Sequence, residues 1–225
     1  MAKMSRYQSE PNWIHHVAWG RAQPHLTPLE LFRIGAWKSA KGLASMSLNE
    51  PGAIEACTAR TMERIATVSK NGHNWRATDI RGRSASQYPG LWEDWLDLSW
   101  DVVGSLRPPN GLLSLDGVGY PMATAILCIL LPSVFPVVDR WAVQTIFGLN
   151  NNGNARSAST WQKGVVYQRY TNQIAVRWSK HFPSRSLHEL DQVAMECSQI
   201  PRGVASPSRQ VPSWCHPVAL DTALL

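Results

Sequence analysis

One carboxylate and one glycine pair are the residues of this chain best placed to do chemistry. Asp139 stands directly before Arg140 to Phe147, a run of helical character that ends at Gly148, so its side chain falls at a helix start. Capping hydrogen bonds there hold a carboxylate ionised and aimed, and such a carboxylate can stabilise a developing positive charge or take a proton from water. The cap alone would also explain the aspartate, and the two roles are compatible. Upstream, Leu115-Asp116-Gly117-Val118-Gly119 sets two glycines around one valine, between an apolar segment and a helix-forming run. That composition suits a tight hairpin with backbone angles that side chains forbid. Pro121 then fits a first helical position, and Met122 to Leu131 reads as a buried helix ended by Pro132. Backbone N–H groups at such a helix start, around Gly117, Val118 and Gly119, point outward and bind phosphate oxygens well.

A second set of polar chemistry lies in residues 70 to 90, KNGHNWRATDIRGRSASQYPG. Lys70, Arg76, Arg81 and Arg83 face only Asp79, with Trp75 and Tyr88 interleaved. Cations that find phosphates and rings that stack on bases suit a nucleic-acid contact. The same composition also suits an exposed surface insertion. Over the whole chain the formal net charge is +6 and the isoelectric point is near 9.4, which favours a polyanionic partner without identifying one.

These groups must be positioned by helices. Thr27-Pro28-Leu29-Glu30 is a capping box with proline at the first helical position, and it opens a helix through about Lys41. Leu31, Ile34 and Trp37, with Phe32 and Ala36, form its apolar face, and Lys38 and Lys41 lie opposite. Asn49 and Pro51 start a second helix to Ser69, with Ile54, Cys57, Met62, Ile65 and Val68 near helical spacing. Leu91 to Val103 gives a third, whose Trp92, Trp95 and Trp100 belong to a packing face. Pro108 and Pro109 forbid a long helix into the hairpin, leaving little more than Asn110 to Leu115. Trp161 to Lys180 and a last helix opened by the capping box Ser186-Leu187-His188-Glu189 complete the set. Residues 1–25, polar with several prolines and histidines, read as an irregular arm. Residues 26–200 read as the helical domain, and 201–225 as a disordered tail rich in Pro, Ser and Gly.

With 225 residues and 44% hydrophobic composition, the chain can bury a core of its own. Cys57, Cys128, Cys197 and Cys215 are far apart, so neither a zinc ribbon nor a disulfide framework is indicated. His15 and His16 have no second ligand group near them in sequence, and no metal site is expected. The N-terminus has no apolar run for secretion, and the longest apolar segment, 123–131, is too short to span a bilayer. A monomeric, cytoplasmic protein with no membrane partner is the expectation.

Leu115 to Gly119, the Ala123-Thr124-Ala125-Ile126-Leu127 that follows, and Val137-Val138-Asp139 together resemble the helix-hairpin-helix and "GPD" signature of the base-excision DNA glycosylase superfamily, in order and in spacing. The match spans the hairpin motif, 112–131, and the aspartate segment, 136–148. The resemblance implies an all-α, two-lobed fold around a central helix-hairpin-helix motif, with double-stranded DNA as partner. It implies that Gly117, Val118 and Gly119 grip the DNA backbone, and that Asp139 assists hydrolysis of the glycosidic bond of a flipped base. Tyr120 and Trp141 would then stand beside the base pocket or act as a wedge, and Arg76, Arg81, Arg83 and Arg140 would be candidate DNA contacts. Bifunctional members carry a lysine where this chain has Pro121, so Schiff-base lyase chemistry is not expected. Some members hold an iron–sulfur cluster through four closely spaced cysteines, a set missing here. No cofactor is implied beyond a monovalent cation that such a hairpin can hold. Asp116 replaces a usual proline and sets a negative charge beside the phosphate contact. A non-catalytic DNA-binding module that keeps fold and grip is the alternative.

Overall fold

The computed structural model describes residues 11, 13–38, 42–69, 111–131, 135, 137 and 138. Within them the chain is helical, with no strand. The order is α1 (Trp13–Gly20), α2 (Pro28–Lys38), α3 (Leu43–Met46), α4 (Pro51–Ser69), a 3-10 turn (Leu112–Ser114) and α5 (Tyr120–Leu130). The expected helices at 91–103, 161–180 and 186 onward, and the expected tail, lie outside the described residues.

α5 is the centre of the packing. Every residue from Met122 to Leu130 is buried, because the segment is apolar on all faces and can lie only inside protein. α1 and α2 pack on it, and the 3-10 turn joins it to α4. Beyond its end Phe135, Val137 and Val138 are buried as well. Each such Leu, Ile or Phe contributes about 1.5–3 kcal/mol by leaving water.

The capping box forms as its sequence requires. The Thr27 N–H donates to Glu30 Oε2 at 2.8 Å, and the Glu30 N–H donates to Thr27 Oγ1 at 3.4 Å. Glu30 is buried, and Arg21 reaches it through Nη2 at 2.7 Å while Nη1 donates to the His25 carbonyl. Burial by itself would raise the Glu30 pKa. Hydrogen bonds from Arg21 and from the backbone and hydroxyl of Thr27, with the charge of Arg21, outweigh it and hold the carboxyl below its ordinary value. On the apolar face of α2, Leu31 and Ile34 are fully buried, Phe32 and Trp37 are half-buried, and Ala36 is exposed.

Residues 13–20, expected as part of an irregular arm, form a helix instead. Ile14 and Ala18, one turn apart, bury completely. His15 Nδ1–H and the Trp19 indole N–H both donate to the carbonyl of Leu130, at 2.7 and 2.8 Å. α1 thus supplies the hydrogen bonds that the last turn of α5 lacks. His15 thereby has a structural partner. α4 follows its expected face, with Ile54, Cys57, Met62 and Ile65 buried. Thr58 and Thr61 are buried beside them, and each donates to the carbonyl one turn earlier, Ile54 and Cys57. Thr58 Oγ1 also accepts the Leu26 N–H, which fixes the approach to α2.

Candidate nucleic-acid interface

Gly111 to Ser114 is a single tight turn, in keeping with the two prolines before it. The Ser114 hydroxyl donates to the Gly111 carbonyl at 2.7 Å, which leaves the Cys57 thiol to donate to Ser114 Oγ at 3.5 Å. Leu115 and Val118 follow as buried anchors, and the Val118 N–H donates to the Leu115 carbonyl at 3.1 Å to close the hairpin. Asp116, Gly117 and Gly119 stay exposed.

The two glycines are there for different reasons. Gly117 has φ +74°, the left-handed region that side chains disfavour. A Cβ on it would lie 2.7 Å from the Gly42 carbonyl oxygen, 2.8 Å from Met46 Cγ and 2.9 Å from the Met46 nitrogen. Gly119 is extended, at φ −88° and ψ 178°, and a Cβ there would meet only Pro121 Cδ at 3.8 Å. The expectation that both glycines serve forbidden backbone angles therefore holds for Gly117 alone. At Gly119 a side chain would have room.

That backbone is the start of α5. Gly119 is its N-cap residue and gives no side-chain cap, and Pro121 occupies the first turn. The Gly119 carbonyl accepts the N–H groups of Met122 and Ala123, both at 2.9 Å. Among the described residues, none accepts a hydrogen bond from the N–H of Gly117, Gly119 or Tyr120. Unpaired N–H donors near the positive end of a helix dipole, beside exposed glycine, are the kind of groups that can bind an oxyanion. Tyr120 is half-buried beside them, while the exposed Asp116 carboxylate works against an anion there.

Asn49 was expected to start α4, but it does not cap that helix. The Glu50 carbonyl takes the first helical bonds, from Ala53 and Ile54. The Asn49 side chain turns to the hairpin instead, where Oδ1 accepts the Asp116 N–H at 2.8 Å and Nδ2 donates to the Asp116 carbonyl at 2.9 Å. Nδ2 also donates to the Met46 carbonyl at 2.9 Å. Sequence reasoning missed this because the partners are 67 residues apart. A cap-type residue in a turn was the only local signal.

The chain leading to Asp139 is tied to the same helix. The buried Val138 N–H donates to Thr124 Oγ1 at 3.1 Å, and Thr124 Oγ1 donates to the Pro121 carbonyl at 3.2 Å. Thus the two parts of the sequence motif, the hairpin with its helix and the valines before the aspartate, meet at the first turn of α5. Asp139, Arg140 and Trp141 lie outside the described residues, as do Arg76, Arg81 and Arg83. Among the described residues no group of three His, Cys, Asp or Glu is placed to hold a metal, and no helix is long and apolar enough to cross a membrane. No family model, no curated protein and no solved structure matches the chain.

Proposed function

We propose that this chain is a helix-hairpin-helix protein of the DNA glycosylase type, a two-lobed helical fold that holds duplex DNA at its hairpin and hydrolyses the glycosidic bond of a flipped base. One observation carries the reading: the N–H groups of Gly117, Gly119 and Tyr120 are unpaired among the described residues at the start of α5. A DNA phosphate presents the oxygens such donors need, and a formal charge of +6 favours the polyanion. Val138, bound to Thr124 of the same helix, brings the chain to within one residue of Asp139. In this reading Asp139 faces the oxocarbenium-like sugar and takes a proton from the attacking water. Tyr120 and Trp141 stand beside the flipped base, and Arg76, Arg81, Arg83 and Arg140 add phosphate contacts. Pro121 offers no amine, so strand scission follows only from added alkali. The protein works as a monomer on DNA inside the cell and needs no iron–sulfur cluster.

A second reading has a specific observation behind it. Asp116 exposes its carboxylate at the mouth of the anion site and weakens a grip that an enzyme would need. A module that holds DNA without chemistry tolerates that better.

Incubation with a panel of damaged-base duplexes, followed by alkali, separates the two. The enzyme reading expects abasic sites, no adduct trapped by borohydride, and an Asp139→Asn variant that keeps DNA binding while base release falls at least about a hundredfold. Binding without base release on every duplex, or full activity in Asp139→Asn, would overturn the catalytic assignment.

A further inference from the structure

We infer that Asn49 is a positioning residue for the hairpin: its side-chain amide fixes the backbone of Asp116 so that the neighbouring N–H groups are presented to an anion before it arrives. The inference rests on the phosphate-binding reading above and names the residue that makes the site preformed.

The hydrogen bonds leave no freedom in how the amide lies. The Asp116 N–H needs an acceptor and its carbonyl needs a donor, so Oδ1 must face the first and Nδ2 the second, as observed at 2.8 and 2.9 Å. The second Nδ2 proton goes to the Met46 carbonyl at 2.9 Å. One side chain therefore bridges the turn after α3 to the hairpin as a strand partner would, across 67 residues of sequence. Gly117, the next residue, is pressed against the same segment, where a Cβ at Gly42 would stand 3.1 Å from the Gly117 carbonyl oxygen.

The consequence for binding is one of conformational freedom. With the Asp116 carbonyl held by Asn49, the peptide plane that it shares with the Gly117 N–H is fixed, and the hairpin that leads to Gly119 starts from an ordered turn. An anion then meets donors already ordered, and the cost of fixing a flexible loop on binding is avoided. Asn49 itself carries no charge and supplies nothing that an anion could replace.

The test compares the full-length chain with its Asn49→Ala and Gly119→Ala variants, using a short duplex DNA over a range of salt concentrations, with amide hydrogen exchange followed alongside. Asn49→Ala should weaken duplex binding about tenfold at every salt concentration, the scale of one or two lost hydrogen bonds. The slope of log affinity against log salt should not change, because no phosphate contact made by a charge is removed. Exchange at the Asp116 amide should accelerate while α5 stays protected. Wild-type affinity in Asn49→Ala, with binding lost in Gly119→Ala, would overturn the role of Asn49 and leave the hairpin reading standing. A shallower salt slope in Asn49→Ala would make Asn49 a part of the contact rather than its support, and would also overturn the inference. A wild-type chain that does not bind the duplex overturns both.

Discussion

Two helix starts in this molecule solve the same problem in opposite ways. The first turn of α2 is closed by its own side chains: Thr27 and Glu30 satisfy each other's backbone N–H groups, and Arg21 neutralises the carboxylate. The first turn of α5 has no side-chain cap, and glycine stands where the cap residue would be. Unpaired N–H groups at a helix start cost stability unless water or a ligand takes them. The chain builds a complete capping box at Thr27 and none at Gly119. The difference separates a helix start satisfied by its own side chains from one whose N–H groups have no partner among the described residues.

The sharpest way to break the comparison is at Gly117, where conformation and packing both demand glycine. Gly117→Ala meets a positive φ and a Cβ position under 3.0 Å from two backbone atoms. A loss of about 3 kcal/mol is expected, the sum of left-handed strain and local overpacking. Chemical denaturation measures it, and a loss below about 1 kcal/mol would mean that the hairpin shifts cheaply. Loss of DNA binding in that variant would therefore not distinguish a missing contact from a misfolded hairpin.

A smaller effect is expected at the closed helix start. The Glu30 carboxyl lies below the ordinary value of 4.5, so it binds fewer protons folded than unfolded. The stability it contributes is fully present above that ordinary value and is lost as pH falls through the folded one. Glu30→Gln should cost about 2 kcal/mol at neutral pH, the scale of hydrogen bonds to a charged group. The gap from wild type should close as both are unfolded at progressively lower pH. A gap independent of pH would show that the carboxylate's charge contributes nothing there.

The closed start was legible in the sequence and the open one only in part. Thr27-Pro28-Leu29-Glu30 is a local code, in which Thr27 and Glu30 pair three residues apart. α4 and α5 were similarly readable, because an apolar face and an all-apolar run each dictate burial. α1 was not. His15, His16 and nearby prolines look like loop, and the contacts that hold residues 13–20 as a helix are distant ones, the buried faces of Ile14 and Ala18 and the bonds of His15 and Trp19 to the Leu130 carbonyl. Asn49 escaped for the same reason, since its place near a helix start suggested a cap while its real partner is Asp116. The hairpin itself was readable from Gly117 and Gly119, but only the fold separates the glycine that its backbone demands from the one whose Cβ position is open.

Gly119→Ala is that separation turned into an experiment. Its Cβ has room and its backbone is extended, so folding stability should change by less than about 0.5 kcal/mol, as for most unstrained surface positions. In the proposed phosphate-binding reading, a methyl group on this N-cap residue crowds an anion that approaches the unpaired N–H groups. Duplex affinity of the wild-type chain and of Gly119→Ala, measured at low salt beside their melting temperatures, tests the central claim most directly. The account predicts a wild type whose binding weakens steeply with salt, and a variant that melts with it but binds at least about tenfold more weakly. Equal affinity in the two proteins would contradict it.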